Sequence, residues 1–445
     1  MDDGSGHRFW VYPAWVKGAF QERRKYGFII LNAFLFLMPW VRVRGHQLIQ
    51  MDLSSRQMLV AGSIYTPRDT IFLVLALLFA SFLLFFVTAM WGRIWCGCAC
   101  PQTVFLETFV HNVERWVEGP RGKRMALDRN GWSFDRIRKK RTKWTIFLAA
   151  STLIAMTFVS WFAGSTPLWT GQASTAAYGS VAFFAAVMFL DLAWFREQFC
   201  NYLCPYARFQ GVLVGEDSLV ITYDEPRGEP RRAKGLPKSE QGHCIDCNKC
   251  VAVCPTGIDI RDGYQLECIG CAKCVDACAP IMAKFGRENL VTYTTITEQA
   301  GGSRKLLQTR PMIYVAAMVL ISVAFGGMLA TRHPLDASVS HAGGSLFTID
   351  NDGATRNTYF LQVTNRRFVE QPTDITVTVT GLPDAEVIIP DITLETGDSV
   401  RVPLIVRAPA GATLPRTQDI DVHISADFDA IVVPATFKTG TATGG

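Results

Sequence analysis

The tightest constraint on this chain is a run of eight cysteines: Cys244, Cys247, Cys250 and Cys254-Pro255, then Cys268, Cys271, Cys274 and Cys278-Ala279-Pro280. The spacing C-x2-C-x2-C-x3-C occurs twice. Each triplet sets three thiolates on one tight loop, which suits three irons of a cubane. In two-cluster runs the fourth cysteine of each run ligates the other cluster. The expected sets are Cys244, Cys247, Cys250 and Cys278 on one [4Fe–4S] centre, and Cys268, Cys271, Cys274 and Cys254 on the second. Zinc would need only C-x2-C pairs. Eight cysteines in register, with Pro directly after the first run, favour iron–sulfur. The second run ends Cys-Ala-Pro rather than Cys-Pro, which removes no ligand.

The rest of the chain must carry this ferredoxin module at a membrane. Hydrophobic residues make up 49% and charged residues 19%, so apolar spans alternate with substantial aqueous parts. A net charge of +5 is too mild to argue for nucleic acid. The run from Tyr26 to Val41 follows Arg23-Arg24-Lys25; no small-x-small cleavage site succeeds it, so it reads as a retained first span rather than a signal peptide. Four further runs are long enough to cross a bilayer: Thr70–Gly92, Trp144–Gly164, Ala176–Phe195 and Met312–Thr331. Trp91, Trp144, Trp161 and Trp194 sit at their ends, as interfacial aromatics do.

Connecting charges set the expected orientation. The segment from Arg115 to Lys143 is densely basic, whereas 165–175 has no charged residue; the loop 42–69 is the weakest vote. Positive-inside counting puts the N-terminus, 93–143 and 196–311 in the cytoplasm. All 13 cysteines fall between Cys96 and Cys278, and thiolate clusters belong on a reducing side, which agrees. Beyond Leu335, period-two stretches (357–364, 373–380, 399–406, 419–425 and 430–433) separated by Gly, Pro and Asp turns predict an immunoglobulin-like β-sandwich. It has no catalytic constellation.

The expected architecture is therefore a multidomain membrane protein: five transmembrane helices, an inserted dicluster ferredoxin domain and a C-terminal sandwich. Its parts are a cytoplasmic tail (1–25), four helices with two cysteine motifs (26–223), a cytoplasmic ferredoxin domain entered through a charged linker at 224–242 (224–310), a fifth helix (311–332) and a periplasmic sandwich (335–445).

A second cysteine system stands at the cytoplasmic ends of spans two and four. Arg93-Ile-Trp-Cys96-Gly-Cys98-Ala-Cys100-Pro101-Gln102 and Arg196-Glu-Gln-Phe-Cys200-Asn-Tyr-Leu-Cys204-Pro205-Tyr206 share C-x3-C-P, with Phe four residues after Pro. Spacing of four places Cys96 with Cys100, and Cys200 with Cys204, on one helical face, and the following Pro opens the helix end. Four soft sulfurs at one depth suit Cu(I), zinc or an iron–sulfur cluster; the bland reading is buried structural cysteines. Cys98 points off that face and ranks below the four. Asp191 inside an apolar run is a functional suspect, or it reaches the interface. Residues 104–117 read as an interfacial amphipathic helix with His111 solvated on its polar face. His243 tunes or merely flanks the first cluster.

Taken together, these parts resemble the FixG/RdxA/CcoG family of cytochrome c oxidase accessory proteins over nearly the whole chain. The C-x3-C-P pairs with the ferredoxin run are also similar to the membrane ferredoxins of nitrate and nitrous-oxide respiration, which the β tail sets apart. The family resemblance implies a bacterial inner-membrane cupric reductase. It would turn Cu(II) into Cu(I) for the cbb-type oxidase at Cys96, Cys100, Cys200 and Cys204, with two [4Fe–4S] clusters as cofactors. Expected partners are copper ions, a cytoplasmic electron donor, oxidase assembly factors or copper chaperones and, as an option, a second copy of the chain. A quinol-linked electron-transfer subunit and a non-redox copper scaffold are the alternatives.

Overall fold

The computed structural model describes residues 10–439 apart from 44, 54–55, 233–236, 238, 306, 344, 368–371 and 413. The first nine residues of the expected tail, five positions of the expected linker and the last six residues of the sandwich segment lie outside the described residues. The chain divides into two compact units: 1–40 with 73–323, and 41–72 with 324–445.

Among the described residues, four helices are long and apolar enough to cross a membrane: Thr70–Trp91, Phe134–Ala163, Thr175–Phe195 and Thr309–Ala330. The first helix, Ala19–Leu37, is not among them, because its opening turns carry Glu22, Arg23, Arg24 and Lys25. Its start is built against the ferredoxin fold. Helix N-termini leave backbone donors without intrahelical partners. Here the Asp276 carboxylate accepts from Gln21 N at 2.8 Å and Phe20 N at 3.3 Å, while Ala14 N donates to Ala252 O at 2.8 Å. The described part of the N-terminal segment is thus a packed piece of the cluster-bearing unit rather than a free tail.

The ferredoxin fold pairs strand Val220–Tyr223 antiparallel with Val291–Thr294 and packs helices Lys249–Val253 and Lys273–Lys284 beneath it. Its first strand precedes the expected boundary at 224. The described linker residues are also bound in: Arg232 N donates to Cys244 O and Gly242 N to Pro230 O.

In the other unit two sheets face each other. One has the order Glu386–Ile388, Ser399–Ala408, Thr355–Asn365, Leu335–His341; the second runs Ile392–Leu394, Thr373–Thr380, Thr417–Ala426, Asp429–Lys438. Alternate residues Tyr359, Leu361 and Val363 point inward to meet Val422, Ile424 and Phe437, all fully buried. Each such side chain contributes about 1.5–3 kcal/mol. The segment read as a connecting loop, 42–69, forms a three-stranded sheet (Ile49–Asp52, Gln57–Val60, Ser63–Tyr65) belonging to this unit. Gln57 Nε2 donates to Gly397 O at 2.9 Å and Ile64 N to Arg366 O at 3.1 Å.

The two sheets are also tied by polar contacts at one end. Buried Asn357 donates to Lys438 O (2.8 Å) and accepts from Lys438 N (3.0 Å), and Tyr359 OH donates to Thr436 O (2.8 Å). Asn357→Leu removes both bonds and strands two backbone groups, a cost of about 2–3 kcal/mol. Hydrogen exchange of the full chain should then rise in 429–438; unchanged protection there would remove this clamp from the account.

Candidate metal centres

The eight cysteines divide around two cavities. Cys244, Cys247, Cys250 and Cys278 line one, with Ile281, Met282 and Val291. Cys254, Cys268, Cys271 and Cys274 line the other, where Cys250 also reaches. Both runs turn by the same device: the residue after the second cysteine, Asn248 (φ 54°) or Ala272 (φ 57°), is left-handed and caps a helix that carries the third cysteine. An alanine in that conformation costs about 1–2 kcal/mol, so the loop geometry rather than local preference dictates it. Among the described residues no three Cys, His, Asp or Glu side chains are grouped closely enough to hold a bare ion. The sulfurs surround spaces instead.

Burial pushes the Cys250 thiol up to about 11 and the Cys268 thiol up to about 12, the latter helped by neighbouring Cys271. Crowded thiolates in a dry cavity need positive charge among them. A cubane core supplies it, so these donors fit two iron–sulfur clusters.

At the helix-end motifs the local geometry differs from the sequence expectation. Cys96 lies in the short helix Ile94–Cys98, but Cys100 is extended (ψ 127°) and caps a new helix beginning at Pro101. Cys200 sits in a π turn, Phe199–Leu203, and Cys204 (ψ 109°) caps the helix from Pro205. Each pair therefore straddles a break instead of sharing one helical face, because a residue before Pro is driven out of the helical region. The four thiols lie near enough to influence one another, though no three of them are grouped closely enough to hold a bare ion: burial raises Cys200, with Cys100, Cys96 and Cys204 adding to it, and burial lifts Cys96 to about 11. Cys96 Sγ is 2.9 Å from Gln210 Oε1; Gln210 also accepts from Arg93 Nε (3.3 Å) and donates to Thr88 Oγ1 (3.2 Å).

This motif rests directly on a cluster loop. A Cβ on Gly97 would lie 2.7 Å from Ile269 O and 2.9 Å from Gly270 C, so only glycine permits the contact. Arg24 Nε donates to Gly97 O at 2.8 Å, Gln21 Nε2 to Cys271 O at 3.0 Å, and Arg93 Nη1 to Leu266 O. Cys98 faces Arg24 and Cys271, between the two sulfur systems, its thiol raised by burial.

The other sequence candidates find partners. Asp191 accepts from Gln102 Nε2 at 3.1 Å and is buried. His111 is not solvated: its Nε2 lies 2.8 Å from Glu197 Oε1. Its segment is not a plain interfacial helix either, since a π turn at Leu106–Val110 interrupts it and Phe105, Leu106 and Val110 pack against Phe147, Ile154 and Leu192. His243 N donates to Arg227 O; its ring does not line either cysteine cavity.

Comparison with known proteins adds the decisive observation. A 4Fe-4S dicluster domain matches residues 195–296, a 4Fe-4S binding domain matches 72–124, and the IG-like fold at the C-terminus of FixG matches 325–439. The nitrogen fixation protein FixG of Rhizobium meliloti is 35% identical over 422 residues, covering 84% of this chain and 80% of its own. Protein RdxB of Cereibacter sphaeroides is 37% identical over 390 residues, covering 83% and 82%, and RdxA of the same organism 32% over 374, covering 80% and 79%. The chain belongs to the FixG/RdxA family. It is a ferredoxin-type iron–sulfur membrane protein, and its domains support an oxidoreductase or electron-transfer role.

Around this family site the structure gathers residues that the sequence did not single out. Glu114 binds Arg196 at 2.7 Å, Arg124 at 2.8 Å and Lys143 at 3.4 Å. Glu107 binds Lys273, inside the second cysteine run, at 2.6 Å and Arg24 at 3.7 Å. Charged residues on an otherwise apolar helix were the available signal. Burial raises the Glu107 pKa, but Lys273, His111 and Arg24 outweigh it and hold the carboxyl at about 2. A depressed carboxylate stabilises the fold above its unfolded value, about 4.3. That contribution is lost only as pH falls toward 2. Glu107→Gln should lower stability by about 3 kcal/mol, since two buried cations lose their partner. The gap in unfolding midpoint should be alike at pH 7 and pH 5; a gap already closed at pH 5 would rule out the pairing.

Proposed function

We propose that this protein is an inner-membrane cupric reductase that turns Cu(II) into Cu(I) for assembly of a cbb-type cytochrome c oxidase. The observation that supports the reading is the seating of the first Cys-Pro motif on the loop of the second cysteine run, with Gly97 against Ile269-Gly270 and Cys96 packed with Cys271. In this reading Cys244, Cys247, Cys250 and Cys278 hold one cluster, and Cys268, Cys271, Cys274 and Cys254 the other. When bound, the clusters supply one-electron transfer. Copper is the substrate. Thiolates of Cys96, Cys100, Cys200 and Cys204 favour Cu(I), for which a pair of sulfurs suffices, and Cys98 is a weaker fifth donor. Arg93 and Gln210 orient Cys96, while Gln102 bridges the first motif to Asp191 and to Arg196 O. A cytoplasmic donor, copper chaperones or oxidase assembly factors are the expected partners.

A second reading is favoured by the 4Fe-4S binding domain match over 72–124, which includes Cys96, Cys98 and Cys100. It assigns the four helix-end thiols to a further iron–sulfur centre instead of copper. One experiment separates the two. Anaerobically purified Cys100→Ala/Cys204→Ala protein should keep its full iron content while losing Cu(I) binding and Cu(II) reduction together. Loss of about a third of the iron supports the further centre. Wild-type copper reduction with intact iron would sink the copper site. Cys254→Ala and Cys278→Ala should deplete spectroscopically different centres.

For orientation, we propose five crossings, with the N-terminus and ferredoxin domain cytoplasmic and the sandwich periplasmic. Residues 10–24 belong to the cluster-bearing unit and 46–65 to the sandwich unit. If Thr70–Trp91 crosses between them, Ala19–Leu37 must cross as well. An alkaline phosphatase fused after residue 439 should be active and one fused at 230 inactive; the reverse pattern would invert the topology.

A further inference from the structure

A groove of about 1030 Å³ opens between helices Phe134–Ala163 and Thr175–Phe195, at the end that carries Arg196, and no cysteine lines it. Its lining changes character along the helices. Phe189, Leu190 and Ala193 form an apolar slot, with the exposed Trp144 and Trp194 beside it. Arg136, Lys140 and Arg141 line the groove before Trp144 in the same helix. At a rise of 1.5 Å per residue, they stand about 5–12 Å from Trp144 along the axis, beyond the apolar run. Trp132 and Phe134, at the start of that helix, are 86% and 83% exposed. Large aromatics left bare beside cations belong at the headgroup level of a bilayer.

The charges of the lining leave a surplus. Its three carboxylates, Glu114, Glu118 and Asp128, are all paired. Lys140 binds Glu118 at 2.9 Å and Asp128 at 2.7 Å, Lys143 binds Glu118 at 2.7 Å, and Arg196 binds Glu114 at 2.7 Å. Two cations of the lining remain. Arg136 has a neutral acceptor, Asn130 O at 2.8 Å, and the exposed Arg141 enters no ion pair among the described residues. Two guanidinium groups without carboxylates ask for an anion, and their planar forks suit a phosphate. The slot beneath them asks for a hydrocarbon chain. A nucleotide has no use for the slot, and a zwitterionic lipid brings its own cation to the arginines.

We propose that this groove is a site for an anionic phospholipid, with its phosphodiester on Arg136 and Arg141 and an acyl chain along Phe189, Leu190 and Ala193. Basic pockets between spans hold anionic headgroups by this combination of charge and depth. The site does not depend on the copper reading. Its lipid lies against Arg196, four residues before Cys200, and so against the ion pair that anchors the second Cys-Pro motif.

The test measures binding rather than turnover, so a chain that fails to reduce copper still decides it. Full-length protein in dodecyl maltoside is titrated with dioleoyl phosphatidylglycerol, and bound lipid is counted by native mass spectrometry. Saturable binding is expected, with dioleoyl phosphatidylcholine weaker and glycerol phosphate unable to compete. Arg136→Gln/Arg141→Gln should weaken phosphatidylglycerol by about thirtyfold, the effect of two cations at a membrane surface. The control Arg138→Gln/Lys139→Gln removes as much charge from the same helix, at residues that pair with Asp135 and do not line the groove. It should leave the affinity unchanged. Both double variants keep every cysteine, and their iron content and lipid-free thermal unfolding should match the wild type. Equal binding of the two lipids, or an equal loss in both double variants, would overturn the proposal. Displacement by glycerol phosphate at equal concentration would overturn it too, making the groove a site for free phosphate.

Discussion

The close approach of two backbones, Gly97 against Ile269-Gly270, is the contact on which the cluster-bearing unit depends. Each side needs glycine for its own reason. Gly97 has no room for a Cβ, and Gly270 (φ 66°) adopts a conformation that side chains resist and would meet Arg93 O at 3.2 Å. Because the loops touch without side chains between them, the thiols of the first Cys-Pro motif and those of the second run share one buried neighbourhood, with Cys96, Ile269 and Cys271 in a single apolar cluster. A bulkier residue at either glycine would separate the two sulfur systems while leaving every cysteine in place.

Burying this contact forces charges inward, and they are paired. Arg24 reaches Gly97 O and Glu107; Lys273 reaches Glu107; Asp276 caps the first helix. Such pairs add little net stability, because desolvation offsets most of their attraction. They hold helix Ala19–Leu37 in place by pairing Arg24 with Glu107 and Gly97 O and by capping its start with Asp276. The same holds around Glu114. Of the basic residues between Arg115 and Lys143 that argue for a cytoplasmic loop, Arg124, Lys140 and Lys143 bind Glu114, Glu118 or Asp128. Part of the positive excess is therefore structural, and the orientation rests on fewer free charges than the sequence suggests.

What was legible in the sequence was local. Cysteine spacing, the long apolar runs and the alternating strands depend on near neighbours, and strands Thr355–Asn365, Thr373–Thr380 and Ser399–Ala408 cover the expected stretches. Cys96 and Cys100 show where local reasoning stopped. A spacing of four implies a shared helical face only if the helix continues, and Pro101 prevents that. The strands within 42–65 were hidden because each is two to four residues long and held by distant partners such as Gly397 and Arg366. The π turns and the Asp276 cap likewise arise from packing against segments far along the chain.

The internal repeat shows how one motif serves two ends. Both copies fold alike where the chemistry needs it: an extended cysteine, then Pro at the first helical position, which suits a ring that lacks an N–H. Outside that core they diverge. Arg93 turns to the ferredoxin loop at Leu266, whereas Arg196 turns to Glu114. Phe105 is buried among helices, whereas its counterpart Phe209 is 65% exposed. The first copy is thereby anchored to the cluster loops and the second to the charge network of the helical bundle. Movement of either anchor would change how the two Cys-Pro motifs sit relative to one another, so their arrangement is tied to how the ferredoxin fold is seated on the helices.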